Sequence, residues 1–405
     1  MLRDFKVNAN RLGSSCVLLL GVGAVNGILL RTLAQLGVGT IIVCDMDTYD
    51  LKSHWTQPVE PGHDGESKVL VQASAAHRIN PHIRIIAIHG FAQDLPLCIA
   101  RAADLFVLAG DNLELVVHVS QLAMGLGKPL FEAAVMGESL TAHLRRYDLS
   151  EPTSVCPACA MSENEWANLK SRLGCSGSQT KLPSNQPTRT SPALCGVAAH
   201  MAACEVSKEF TRDAPRLGGE DVTYCLASHQ LYRTKLPRSG RCRLAHRAWR
   251  TVEITEPPTQ TTLRSIVERC TSNGPTSDGP TSDGPVQCKA EIPWMHEVRC
   301  PSPSCGDLVP VRRFARLGAD LGACHCGERL TASALGQRSV LPASDLEHCL
   351  DMPLAKLGLG SGDSIAVSTS GDWTYCFLGG ATLSDWLAKH DDGNAGRYSY
   401  VGATK

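Results

Sequence analysis

The chain has 405 residues, 43% of them hydrophobic and 20% charged, with a formal net charge of −1. That length holds two or three domains of roughly 150 residues each, and the near-zero charge gives no electrostatic basis for binding nucleic acid or an anionic membrane. No apolar run reaches the roughly 18 residues of a membrane span, and the opening stretch MLRDFKVNANRLGSS carries acid and no apolar signal core, so a cytoplasmic location is expected.

Val17–Leu20 reads as a buried strand, Asn26–Leu36 as a helix and Thr40–Cys44 as a second strand. The turn between the first two is GVGAVNG. Gly21 and Gly23 let the backbone turn tightly and approach a phosphate, and the helix start behind them offers free N–H groups. Asp45 ends the second strand, where an acid can bond a ribose hydroxyl. The third glycine of a dinucleotide-binding turn is displaced, because Asn26 occupies its place and Gly27 follows. These features alone leave three readings open: a nicotinamide dinucleotide, another nucleotide, or a turn with no ligand.

Further along, Ser67–Ile79 reads as a helix, His82–His89 and Leu105–Ala109 as strands, Glu114–Leu126 as a helix, and a strand follows near Pro129–Ala134. This alternation predicts an α/β fold, a Rossmann-like doubly wound parallel sheet whose strand ends face one crevice. Asp47, Lys68 and the pair Asp111-Asn112 fall at that side. Aspartate suits a hard cation and lysine suits phosphate charge. Together they favour Mg²⁺ and a triphosphate over nicotinamide, the alternative being solvated surface charges.

Residues 160–192 are polar and read as a crossover, Ser191–Phe210 as an apolar helix, and 220–237 as short strands. The repeat GPTSDGPTSDGP cannot bury a core and reads as linker. The expected division is residues 1–250 as a nucleotide-binding domain, 251–287 as flexible linker, and 288–405 as a small cysteine-rich α+β domain.

The 18 cysteines include spaced pairs, which in a cytoplasmic chain suggest metal. Cys156 and Cys159 have the spacing that grips one zinc, and Cys242 with His246 supplies a second pair for a structural Zn²⁺. Cys300, Cys305, Cys324 and Cys326 make a second set, resembling the knuckles of a zinc ribbon, in which His325 could replace one thiolate.

Taken together, GVGAVNG, LAQLGVGTIIVCDMDTYDLKSHWTQ, SKVLVQASAAHRINPHIRI, DLFVLAGDN, SVCPACAM and CGVAAHMAACEVSKEF resemble the ThiF/MoeB/ubiquitin-activating superfamily of adenylating enzymes over about residues 10–250. The resemblance implies an ATP-dependent adenylyltransferase that activates the C-terminal carboxylate of a ubiquitin-like sulfur-carrier protein or a peptide as an acyl adenylate, in sulfur transfer or peptide modification. By position, Gly21 and Gly23 would line the phosphates, Asp45 would hold the ribose, Lys68 would steady the transition state, Gln57 is retained, and Asp111 would carry Mg²⁺ with Asn112 beside it. The family also implies a homodimer, and members that form a thioester or relay sulfur carry a cysteine near Cys195; Cys175 is a weaker candidate. Departures are Ala24 and Asn26 for two turn glycines, Thr56 for the arginine that meets the phosphates, and no N-terminal arginine segment, for which Arg3 and Arg11 are poor substitutes. His54 and Trp55 would stack on adenine or simply pack. Two rivals remain: a non-catalytic ThiF-like binding protein, which Thr56 favours, and an NAD-dependent oxidoreductase, which leaves Asp47, Lys68, Asp111 and the cysteine pairs unexplained.

Overall fold

A computed structural model describes residues 9–110, 112–149, 151, 153–172, 190–211, 216–272, 285–316, 318–333, 336–369, 372–379, 383 and 398–401. The chain forms two compact units, one of Met1–Leu95, Ala100–Ala248 and His390–Lys405, the other of Pro96–Ile99 and Trp249–Lys389.

The first unit runs α1 (Ala9–Gly13), β1 (Cys16–Leu20), α2 (Ala24–Leu36), β2 (Thr40–Asp45), α3 (Lys68–Ile79), β3 (Arg84–His89), α4 (Leu97–Ala102, whose start belongs to the second unit), β4 (Leu105–Leu108), α5 (Leu113–Leu126), β5 (Leu130–Met136), β6 (Thr141–Tyr147), α6 (Glu163–Arg172), α7 (Pro192–Thr211), β7 (Glu220–Cys225) and β8 (Gln230–Lys235). Every residue of β1 is buried, as a central strand covered on both faces requires. Strands β3, β2, β1, β4 and β5 are parallel neighbours in that order, the doubly wound arrangement expected. The order reverses between β1 and β4, which is where such sheets bind ligands. The sheet then continues antiparallel through β6, β7 and β8.

Strand β6 was not evident from sequence. Its residues TAHLRRY alternate: Ala142 and Leu144 enter the core, while Arg145 on the other face bonds Glu132 at 3.2 Å and Asp221 at 3.0 Å. The charges hide the strand until their partners on β5 and β7 are known. Helix α7 lays Ala198, Ala199, Ala202 and Ala203 into the same core, against α2, β5 and β6; small side chains permit that close approach.

The second unit contains β9 (Arg250–Ile254), α8 (Leu263–Ser272), β10 (Gln287–Ala290), β11 (Trp294–Arg299), β12 (Leu308–Phe314), β13 (Asp320–Ala323), β14 (Arg329–Thr331), β15 (Gln337–Arg338), α9 (Ala343–Cys349), β16 (Ser364–Ser368) and β17 (Trp373–Leu378). Three sheets result, ordered β10-β16-β17-β9, β12-β11-β15 and β13-β14. The last strand, β18 (Tyr398–Val401), returns to the first unit and pairs antiparallel with β3.

The linker reading of 251–287 is corrected in part. Residues 250–254 pair in parallel with β17, and α8 buries Leu263, Ile266 and Cys270. That three-and-four spacing makes one apolar helix stripe. The repeat, up to residue 284, lies outside the described residues. Among the described residues, no helix is long and apolar enough to cross a membrane.

Candidate nucleotide crevice and metal clusters

The glycine turn sits at the sheet's switch point. Gly21 has φ +80°, and a side chain there would place Cβ 3.0 Å from the Ala109 carbonyl oxygen, so glycine is required both for backbone angle and for space. Its N–H donates to the Cys44 carbonyl at 2.9 Å, and the Val22 N–H donates to Asp45 Oδ2 at 2.6 Å. The other Asp45 oxygen accepts from the Asp47 N–H at 2.9 Å. Asp45 therefore ties the turn to the end of β2, and each oxygen retains a second lone pair for a hydroxyl.

Asn26 explains the displaced glycine. It is fully buried, and its Nδ2 donates to the carbonyls of Gly21 at 2.8 Å and Leu20 at 3.3 Å. The close packing usually provided by the third glycine has moved to Gly27, where a Cβ would lie 3.0 Å from Pro58 Cγ. Pro58 is held by a brace that sequence reasoning missed: Gln72 Nε2 donates to its carbonyl at 2.8 Å and to Tyr49 Oη at 2.6 Å, and Arg31 Nε donates to Gln72 Oε1 at 3.2 Å. No local pattern marks these residues, because they meet only in the fold.

Lys68 opens α3. It is 9% exposed, its Nζ lies 3.0 Å from Asp47 Oδ2, and its N–H donates to the Asp47 carbonyl at 3.0 Å. A buried lysine at a helix start has no dipole reason to be there; Asp47 holds it. Asn26 Oδ1, His54 Nδ1, Gln57 Oε1 and Ser67 Oγ are shut off from solvent without a partner. Unpaired buried groups cost about 1–3 kcal/mol each, so the turn and the segment from His54 to Ser67 suit a ligand rich in donors and acceptors. Trp55 is 80% exposed, so its ring does not pack.

Asp111 lies outside the described residues, as do Arg3 and Cys175. Asn112 is the N-cap of α5, its Oδ1 accepting from the Glu114 N–H at 2.9 Å, which commits that oxygen to the helix start. Arg11 is exposed. The reading of Cys195 as a nucleophile is corrected: it is fully buried in the core of α7, beside Thr190 Oγ1 at 2.9 Å, and burial raises its thiol pKa. A thiol so placed is a small apolar side chain.

The cysteine pairs do converge. Cys156 Sγ lies 3.8 Å from both Cys159 Sγ and Cys242 Sγ, and His246 Nε2 lies 3.6 Å from Cys156 and 3.5 Å from Cys159. Tetrahedral zinc with bonds of about 2.3 Å to sulfur sets sulfur–sulfur edges of about 3.8 Å. His246 Nδ1 donates to the Ser154 carbonyl at 2.9 Å, which fixes the tautomer and turns the Nε2 lone pair to the thiols. The second set is looser. Cys300 and Cys326 are 3.6 Å apart and Cys305 and Cys324 3.8 Å apart, with all four Sγ atoms within 4.8 Å of one another. They join the end of β11 to the β13-β14 hairpin. His325 Nε2 is 4.0 Å from Cys305 Sγ and 3.6 Å from Asp307, beside the four thiols. Both sets could hold a metal ion.

Sheet order and glycine turn define a doubly wound α/β protein with acids at the strand ends of its crevice. The chain belongs to the ThiF family, whose model matches residues 2–244. It is 33% identical over 140 residues to adenylyltransferase and sulfurtransferase MOCS3-1 of Zea mays, covering 34% of this chain and 30% of that protein. It is 26% identical over 245 residues to the molybdopterin-synthase adenylyltransferase of Escherichia coli, covering 60% and 92%. A sulfur carrier protein adenylyltransferase of Thermus thermophilus is 32% identical over 127 residues, covering 31% and 47%. The chain thus spans less than a third of the maize relative's length. Among solved structures, Escherichia coli MccB with ATP overlays 59% of this chain and 68% of its own at TM-score 0.48 and 19% identity, too loose a likeness to argue from.

Proposed function

We propose that this chain is an ATP-dependent adenylyltransferase that joins AMP to the C-terminal carboxylate of a ubiquitin-like sulfur carrier or a peptide. The observation that carries the reading is the buried Lys68, held by Asp47 next to a glycine turn that is tied to Asp45. The names of the relatives support it: each is an adenylyltransferase, and one acts on a sulfur carrier protein.

In the reaction a carboxylate oxygen attacks the α-phosphorus and pyrophosphate leaves. No proton needs to move, so positioning and charge neutralisation supply the rate. The side-chain-free backbone at Gly21 and Gly23 lines the phosphates, Asp45 accepts from a ribose hydroxyl, and the Lys68 ammonium faces the charge that develops on the phosphoryl oxygens. Gln57, with its unpartnered Oε1, is a further polar contact. Mg²⁺, when bound, supplies added neutralisation of the triphosphate, a role that falls to Asp111 by sequence position. The two cysteine sets hold structural Zn²⁺, since four ligands leave no open position. Homodimerisation is proposed on family grounds alone.

ATP–pyrophosphate exchange tests this. With a panel of carriers and peptides ending in a free carboxylate, exchange is expected, and Lys68→Ala should lower it by about 100- to 1,000-fold at unchanged thermal stability. Thr56, in place of the phosphate-facing arginine, supports a second reading, a ThiF-like binding protein. Tight ATP or peptide binding with no exchange across the panel would establish it instead.

A further inference from the structure

The second unit holds a thiol pair used by neither the crevice nor the metal clusters. Cys270 lies in the last turn of α8 and Cys376 in β17, and their Sγ atoms are 3.3 Å apart. Both belong to one hydrophobic core, Cys270 at 7% exposure and Cys376 at 0%. Each is fixed by its element. Helix α8 is laid down by Leu263, Ile266 and Cys270 on one stripe, and β17 is paired on both sides, with β16 and β9. A bonded sulfur pair is about 2.05 Å apart, so closing by about 1.3 Å is within the reach of side-chain rotation.

We infer that Cys270 and Cys376 form a reversible disulfide site that clamps α8 to β17. The pair is chemically asymmetric. The hydrogen bond from the Cys376 thiol, helped by the nearby Arg250 charge, holds the Cys270 thiol pKa below its ordinary value; the same contact, with burial, raises that of Cys376. Cys270 is therefore the attacking sulfur. It is also the one a reagent can reach, because helix ends fray. Cys288, in the same core, has its thiol pushed up to about 12 by burial; what sets Cys376 apart as the resolving sulfur is its position 3.3 Å from Cys270 Sγ.

The oxidant is a low-molecular-weight disulfide. The Cys270 thiolate attacks one of its sulfurs, and one small thiol leaves with the proton from Cys270. Cys376 then attacks Cys270 Sγ, the protein disulfide forms, and the second small thiol leaves with the other proton. The protein loses two electrons and the small disulfide gains them.

The test uses the full chain. It is incubated with oxidised glutathione, denatured, alkylated and digested without reduction for mass spectrometry. The expected result is one peptide pair joined through Cys270 and Cys376, released by dithiothreitol, with an unfolding midpoint raised by roughly 5 °C or more. Cys376→Ser should trap glutathione on Cys270, and Cys270→Ser should leave Cys376 unmodified. Alkylation of both residues in the treated wild type, or a bond from either to Cys288, would overturn the inference. The wild-type map stands whether or not the variants fold.

Discussion

Asn26 and Gly27 show how one displaced residue is compensated by its neighbour. Asn26→Ala removes two hydrogen bonds from the carbonyls that shape the turn. It should cost about 1–3 kcal/mol and raise the KM for ATP more than it lowers kcat. Gly27→Ala pushes a methyl to within 3.0 Å of Pro58 Cγ and should cost a similar 1–3 kcal/mol, since well-packed sites resist added groups. Urea unfolding measures both, as a lower midpoint at constant m. An unchanged midpoint and ATP affinity for Asn26→Ala would remove the clamp from the account. Much of the crevice was legible at this scale. Gly21, Asp45 and Lys68 are marked by spacing from strands that periodicity locates. The Asn26 clamp and the Arg31–Gln72–Tyr49 brace were not, because hydrogen bonds between distant side chains leave no periodic trace. Cys195 misled for a related reason: position in a motif says nothing of burial.

At the scale of elements, the parallel strands and their helices were readable because each is a clean apolar run or stripe. Strand β6 and helix α8 were not, the one masked by paired charges and the other by its place before a low-complexity repeat. The cysteine pairs were readable as spacing: Cys242 and His246 were set with Cys156 and Cys159 from sequence, and the fold supplies the distances that bring the four together. The small core beside Cys300 and Cys324 contains little more than Met295, Val298, Ala315, Leu330 and Ala332, so metal should supply much of that region's stability. Elemental analysis is expected to give two zinc ions per chain, with one lost in Cys156→Ser and the other in Cys324→Ser. Retention of both by both variants would contradict the assignment. A chelator should lower the unfolding midpoint of wild type more than that of either variant.

At the scale of the whole molecule, Glu291 makes stability depend on pH. This carboxyl lies between β10 and β11. Its Oε2 accepts from the Leu97 N–H at 2.8 Å and its Oε1 is buried without a partner. Burial raises its pKa from 4.5 to about 7. Between those values the folded state holds a proton that the unfolded state releases. The stability it contributes is therefore complete below about pH 4.5 and is lost as pH rises through about 7, a change of about 3 kcal/mol. Glu291→Gln, which keeps an acceptor for Leu97, should flatten the fall in denaturation free energy across that window. An identical pH profile in wild type and variant would exclude Glu291 as its source.

The pairing of β18 with β3 has a consequence for how the protein is made. Tyr398 meets Ile88 across that edge, so two strands separated by about 300 residues must find each other, a contact of very long range. On the ribosome, at roughly 5–20 residues per second, β3 waits about 15–60 s for its neighbour. Through that interval the nascent sheet presents Arg84–His89 as an open edge, with Ile85, Ile86 and Ile88 in it, the kind of edge that recruits other chains. Slow or stalled synthesis of the second unit would thus be felt first in the sheet of the first, as aggregation of chains whose crevice is already built.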